Sequence, residues 1–320
     1  MTGLEVFPIA FGCWQLGGEW GEFDEAEAVA AIRQARSLGI DLFDTAQGYG
    51  FGASEQLLGR ALRGKLEANR EEIVVATKGG LRLLEDGSLA RDSSPDWLRQ
   101  GVEQSLRALG LDFVDLYQVH WPDPDTPFAE TAGALEELVE EGKIRHVGVS
   151  NFDVAQMAEF AETRPVETLQ PAYHLFRREI EESVLPYTSE HDIGVLVYGP
   201  LAHGMLTGTF QERMTFPAGD WRAGAPFFRG EDFRRNLAAV GELEALAAEL
   251  SCNVSQLAIA WTLANPAVDV AIVGSRSPRH IEEAAGAAAI ELDEDDLGRI
   301  EGIMAGAVPI AGPSPEMGVD

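Results

Sequence analysis

Residues 38–80 read LGIDLFDTAQGYGFGASEQLLGRALRGKLEANREEIVVATKGG. Two short apolar runs, 40–44 and 73–78, flank an amphipathic segment whose helical spacing is clearest over 54–62. This is the pattern of two parallel strands joined by a crossover helix. Both runs end on a charged side chain, Asp44 and Lys78.

On either side the unit recurs. Apolar runs at 6–11, 113–120, 146–150, 168–170, 194–198 and 268–273 bring the candidate strands to eight. Helical patterns lie between them at 24–38, 95–109, 128–141, 154–162, 180–190, a pair across 232–265, and 278–288. Local punctuation marks several ends. Asp24 can cap the first helix and Gly39 stop it, Ser94-Pro95 offers an N-cap followed by proline at the first helical position, and Gly142 closes EELVEEG. Eight strand–helix repeats with right-handed crossovers close an α/β (β/α)8 TIM barrel, which takes about 250 residues. An open, doubly wound sheet is the alternative. The 320 residues are read as one barrel domain, 1–320, with three extras: a loop after strand seven, 201–230, rich in Gly, Pro and aromatics; a C-terminal helix, 294–304, opening at LDEDD, where carboxylates suit the helix dipole; and a tail, 306–320.

The net charge of −29 argues against a nucleic-acid footprint and requires any anionic ligand to meet a locally positive pocket. It is compatible with a high-salt cytoplasm and with an ordinary acidic enzyme. Two cysteines, Cys13 and Cys252, suit a reducing compartment and read as packing thiols. The start MTGLEVFPIAFG lacks the features of a secretory signal, and no apolar run approaches the roughly 18 residues of a bilayer crossing. A cytoplasmic protein is expected, with neither nucleic acid nor membrane as partner.

Barrels of this kind gather their chemistry at the C-terminal strand ends. Here those ends are polar: Asp44, Lys78, His120, Ser150-Asn151, Gln170 and Tyr198. A lysine ending VVATK must reach water or a carboxylate, because an unpaired buried ammonium is expensive, and Asp44 is the natural partner. If the ammonium also meets Tyr49, it favours phenolate and draws that pKa down from about 10 toward the range of a working proton donor. His120 can then hold a substrate oxygen beside the phenol. Together the four describe reduction of a carbonyl by an external hydride source. Each alone has a plainer reading: strand-end cap, loop aromatic, solvated terminus, core histidine. Their occurrence at consecutive strand ends favours the joint one.

The segments IDLFDTAQGYGFGASEQLLGRAL, VVATKGG, VDLYQVHWPD, GKIRHVGVSNF and VLVYGPLAHGMLTG resemble the signature blocks of the aldo-keto reductases, in family order from TGLEV to about Ala288. The WP pair after His120 and the loop TFPAGDWRAGAPFFRGEDFRRN resemble the bacterial branch related to potassium-channel β subunits. The resemblance implies a TIM barrel, a nicotinamide hydride donor, a catalytic tetrad on Asp44, Tyr49, Lys78 and His120, and small aldehydes or ketones as substrates. A slow-turnover sensor that holds its coenzyme and a polyol dehydrogenase are the alternatives.

The resemblance also implies that Ser150, Asn151 and Gln170 hold the nicotinamide carboxamide, that Tyr198 stacks on its ring, and that Gly199, Pro200, Leu201, Gly204 and Leu206 follow the pyrophosphate. In AIVGSRSPRHIEEA, Gly274, Ser275, Arg276 and Ser277 form an anion site at a helix start, with Arg276 favouring NADPH over NADH. His280 and Glu283 fall on the adenine side, where Ala284 replaces a common asparagine. Trp14, Trp20, Trp121, Phe227 and Phe228 are candidate substrate walls.

Two departures stand out. Only the second half of the family's leading hairpin is present, so either the barrel floor is partly uncovered or the true start lies upstream, and His174 takes an asparagine position in QPAYH. Other chemistries lack their residues. GYGFGAS breaks the dinucleotide fingerprint at Ala53, neither HExxH nor GxSxG occurs, and the six histidines lack metal-ligand spacing. No metal is expected.

Overall fold

Alternate side chains of a strand face opposite ways, and the computed structural model shows how that alternation sorts this chain. Ala10, Leu42, Val74, Ala76, Leu116, Leu196, Val270 and Ile272 fill the inside of a closed barrel. Their neighbours, among them Phe11, Phe43, Val75, Val119, Val147 and Val197, form an outer layer beneath the helices. The structure describes residues 2–18, 20–217 and 220–310.

The barrel strands are β1 (Ile9–Gly12), β2 (Leu42–Asp44), β3 (Val74–Gly79), β6 (Val114–Val119), β7 (Ile144–Ser150), β8 (Thr168–Gln170), β9 (Gly194–Tyr198) and β10 (Val270–Gly274). All pair in parallel, and β1 bonds to both β2 and β10 to close the ring. Around it run α1 (Glu25–Ser37), α2 (Ala53–Ala68), α3 (Pro95–Leu109), α4 (Phe128–Glu140), α5 (Val154–Ala161), α6 (Val184–Glu190), α7 (Gly230–Glu249), α8 (Val254–Leu263), α9 (Pro278–Ala285) and α10 (Glu294–Met304). The expected barrel is therefore present. Every inward residue carries an even number. Extending that parity to the C-terminal rim brings Asp44, Lys78, Ser150, Gln170 and Tyr198 to its inner edge, and His120 follows one residue beyond β6.

Several expectations are refined. Helix α2 continues to Ala68, where buried Leu66 gives the added turn an apolar anchor. The segment 81–91 forms an antiparallel hairpin, β4 (Leu81–Leu83) with β5 (Leu89–Arg91), that was not expected. Ser94 occupies the N-cap of α3 without capping it, because its hydroxyl donates to Asp92 Oδ1 at 2.5 Å instead. Asp24 does cap α1, accepting from the Ala26 and Glu27 N–H groups. The loop 201–230 contains short 3-10 turns at Ala202–Thr207, Trp221–Ala223 and Pro226–Phe228. Leu4 and Val6 pack against the inner core, so apolar side chains do meet the barrel floor. In the tail, Asn236 exchanges two hydrogen bonds with Val308, and buried Ile310 donates to the Phe176 carbonyl; 311–320 lie outside the described residues. Burial raises the thiol pKa of Cys13 and of Cys252, as expected of packing thiols.

At the N-terminal face, Glu167 sits 2.8 Å from His146 Nδ1 and accepts from the Val147 N–H and Arg164 Nη2, each also at 2.8 Å. Burial pushes its carboxyl up, but these partners outweigh it and hold the group down at about 2. A depressed carboxylate stabilises the fold above its ordinary pKa and loses that contribution as pH falls through the folded value. Glu167→Gln is expected to cost about 1–3 kcal/mol at neutral pH. The difference from the parent should shrink from pH 4.5 toward 2, read by urea unfolding across that range. A penalty independent of pH would contradict the assignment.

Candidate active site

Lys78 is buried within the rim, and its ammonium has three protons to place. Three oxygens receive them: Asp44 Oδ2 at 2.6 Å, the Thr45 carbonyl at 3.0 Å and the Tyr49 hydroxyl at 3.2 Å. Asp44 uses its other oxygen to accept from Gln170 Nε2 at 2.8 Å. The carboxylate thus binds one barrel wall to the other and holds the ammonium between them. The His120 ring meets Tyr49 nearly edge-on, with centroids 5.6 Å apart. The four residues expected to act together lie together.

Tyr49 is placed by a turn that few sequences tolerate. The next three residues, Gly50, Phe51 and Gly52, have φ of 58°, 47° and 98°. A Cβ on Gly50 would stand 2.4 Å from the Gly17 carbonyl, so the loop fits against the chain leaving β1 only because glycine is there. Phe51 takes the left-handed conformation with a full side chain.

A second network crosses the floor of the cleft. Tyr198 donates to Asn151 Oδ1 at 2.9 Å, Asn151 Nδ2 donates to Ser150 Oγ and to the His120 carbonyl, and Ser150 donates to the Gln170 carbonyl at 2.8 Å. Ser150, Gln170 and Tyr198 line the cleft, whereas the Asn151 amide is engaged at both ends by neighbouring protein groups.

The cleft measures about 720 Å³ and runs from Tyr49 and His120 to Ser277 and Glu283. Gly199, Pro200, Leu201, Gly204, Gly274, Ser275, Arg276 and His280 all border it; Leu206 is buried in the hydrophobic core instead. Of the aromatic candidates, Trp14 and Trp20 line the cleft and meet edge-on at 4.9 Å. Phe227 stands behind, against His203 and Trp221. Trp121 is buried beneath Arg91 and does not line the cleft. Phe228 turns inward onto Phe210, Phe216 and Phe233, with Phe227 against it at 4.6 Å between ring centroids, and neither lines the cleft.

Among cleft residues not singled out in the sequence are His203 and Arg222. His203 follows Ala202 and precedes Gly204 in three successive left-handed residues, with φ of 48°, 56° and 101°. Arg222 pairs with buried Asp220 at 2.6 Å, donates to the His203 carbonyl and lies over the Trp20 ring. Arg276 reaches back to the Trp20 and Glu22 carbonyls. Burial, then nearby Arg222, push the Arg276 guanidinium below its ordinary value, while Asp220 opposes them. The sequence signal was available in DWR, an acid and an arginine two positions apart in a loop already marked as unusual. A second concavity of about 530 Å³, near the C-terminal ends of α2 and α3, is lined by Arg60, Arg63, Arg70 and Arg107, and of these Arg60 pairs with Glu25, Arg70 with Asp115 and Arg107 with Glu103. Among the described residues no group of His, Cys, Asp and Glu could hold a metal, and no helix is long and apolar enough to cross a membrane.

The model of the aldo/keto reductase family matches residues 8–305. The chain belongs to that family. As an aldo/keto reductase it is 41% identical over 305 residues to aldo-keto reductase YhdN of Bacillus subtilis (strain 168), covering 95% of this chain and 91% of YhdN. It is 35% identical to aldo-keto reductase yakc [NADP(+)] of Schizosaccharomyces pombe, over 89% of this chain and 85% of the relative. Among solved structures, glycerol dehydrogenase AKR11B4 from Gluconobacter oxydans superposes with a TM-score of 0.88 at 38% identity, over 98% of this chain and 95% of that one.

Proposed function

We propose that this aldo/keto reductase reduces small aldehydes or ketones to alcohols with NADPH as hydride donor. The observation that carries the reading is the buried contact of Tyr49, Lys78 and Asp44 at the end of a cleft large enough for a dinucleotide. The residues present suit that coenzyme. Tyr198 offers an aromatic face, and Gly204 leaves no room for a Cβ between Phe210 and Arg222, so its backbone lies bare. Arg222 and Arg276 both line the cleft beside Trp20, Asp220 offsets part of their charge, and a phosphate group would suit the remainder. Ser275 and Ser277 stand beside Arg276 in the cleft, tied to each other by the Ser275 hydroxyl donating to the Ser277 carbonyl and the Ser277 N–H donating back. A relative named for NADP(+) is consistent with this choice.

When bound, the nicotinamide supplies the hydride that forms the new C–H bond. Tyr49 donates its hydroxyl proton to the carbonyl oxygen, and the ammonium 3.2 Å away stabilises the phenolate left behind. Asp44 keeps that ammonium oriented. His120, edge-on to Tyr49, presents a ring nitrogen to the same oxygen. Trp14 and Trp20 cover the approach and exclude water.

The test is a carbonyl panel with NADPH and NADH: 4-nitrobenzaldehyde, methylglyoxal and, because a glycerol dehydrogenase is among the similar structures, glyceraldehyde and dihydroxyacetone. Turnover favouring NADPH supports the reading. Clear quenching of coenzyme fluorescence with no turnover on any carbonyl would point to a coenzyme-holding sensor instead. Arg276→Ala is expected to weaken NADPH binding by about tenfold or more while leaving NADH within about twofold, the size of one lost charge-assisted contact. Equal weakening of both would remove Arg276 from 2′-phosphate recognition.

A further inference from the structure

The loop that carries Tyr49 is anchored at both ends by groups that do not border the cleft. Upstream, the Thr45 N–H donates to the Ala76 carbonyl and the Gln47 N–H to the Lys78 carbonyl, each at 2.9 Å. Downstream, the first turn of α2 is fixed by two buried side chains. The Ser54 hydroxyl donates to the Cys13 carbonyl at 2.9 Å, so Thr45 Oγ1, 3.0 Å away, is the donor to Ser54. Glu55 Oε1 accepts from the Thr77 hydroxyl at 2.6 Å. Thr77 is the outward neighbour of inward Lys78 on β3. Glu55 therefore grips the strand that presents the ammonium, while standing in the helix that begins where the tyrosine loop ends.

We propose that Glu55 is a positioning residue for proton transfer, setting the approach of the Tyr49 hydroxyl to the Lys78 ammonium through its bond to Thr77. This rests on the reading of Tyr49 as proton donor. A carboxyl is an unusual group to bury here, since its close partner is the Thr77 hydroxyl, with Ser105 also beside it, and the ammonium lies across the strand. The ionisable groups facing it are Lys78, from the other side of β3, and Tyr117, from β6. Burial raises the Glu55 pKa, opposed by Thr77, Ser105 and Lys78. The Tyr117 hydroxyl is itself pushed up by burial and by Glu55. Thr77 needs only an acceptor oxygen from Glu55, which a carboxyl offers in either protonation state. The geometry requires an acceptor at this point, which a glutamine amide oxygen also supplies, so glutamine should serve.

The experiment compares Glu55→Gln, Glu55→Leu and Thr77→Val in the full chain, reading kcat, KM, the pH profile of kcat and the NADPH Kd by fluorescence. Glu55→Gln is expected to stay within about twofold of the parent. Glu55→Leu and Thr77→Val should lose about ten- to a hundredfold in kcat, as expected when a reacting group is misplaced by roughly an ångström, while keeping their NADPH affinity. Their basic limb should also move to higher pH, because a phenol farther from the ammonium is a weaker acid and stays protonated longer. Thr77→Val removes the same bond with little change of shape, so it carries the test if Glu55→Leu fails to fold. Parental kcat with an unmoved limb in Thr77→Val overturns the proposal, and so does a kcat loss matched by an equal loss of NADPH binding. Tyr49→Phe is the control: if it is fully active, the proton-donor reading falls; if it is inactive while Thr77→Val behaves as the parent, only the role of Glu55 falls.

Discussion

Tyr49→Phe should bind NADPH as tightly as the parent and lose about 10²–10⁴-fold in turnover, the range attributed to a positioned general acid. The substitution removes one oxygen. The ring keeps its packing against Trp14 and His120, and Lys78 keeps two of its three acceptors, Asp44 and the Thr45 carbonyl. Stability should therefore change little, which separates a chemical defect from a folding one. Coenzyme fluorescence titration and single-turnover kinetics with a reactive aldehyde make the measurement. Retention of most of the turnover would assign the proton to another donor, Lys78 or His120.

Lys78→Met should be the most damaging single change to the fold. It leaves Asp44 buried, still receiving one hydrogen bond from Gln170 but with no countercharge. Breaking one side of a buried pair costs about 3–5 kcal/mol, whereas replacing both sides with neutral groups is often close to neutral. Lys78→Met is therefore expected to lose stability on that scale in urea, and Asp44→Asn with Lys78→Met to recover most of it. Neither variant should recover turnover, because the phenolate left by proton donation has no cation beside it. If Lys78→Met unfolds at the parental urea concentration, the ion pair is not the anchor its geometry describes.

Much of this arrangement is legible in the sequence because strands and their ends obey short-range rules. The runs DLFD and VVATK announce strands by composition, and their terminal charges fall on the inward face through the period of two. The rest depends on contacts between distant segments. Nothing local tells Phe227 from Phe228, yet one is half-buried against His203 and Trp221 and the other fills the core. Arg222 joins the cleft only because Asp220, Trp20 and the His203 carbonyl hold it there. The hairpin of β4 and β5 had a readable signal, Asp86-Gly87 between alternating residues, the usual mark of a tight turn. Ser94 shows the converse: its position at a helix start was legible, and the competing acceptor at Asp92 was not. Glu55 stands inside a recognisable block, but its bond to Thr77 appears only when α2 folds back onto β3.

The even numbering of the rim residues has an evolutionary corollary. Adding or deleting one residue within a strand would swing its terminal side chain out of the reaction chamber, so drift in length is intolerable there. The same event late in the segment between β9 and α7 leaves Asp44, Tyr49, Lys78 and His120 on the strand ends and loop that hold them, and reshapes the cleft wall through Gly204 and Arg222 instead. Length is therefore rigid where the proton moves and adjustable where the cleft wall is built.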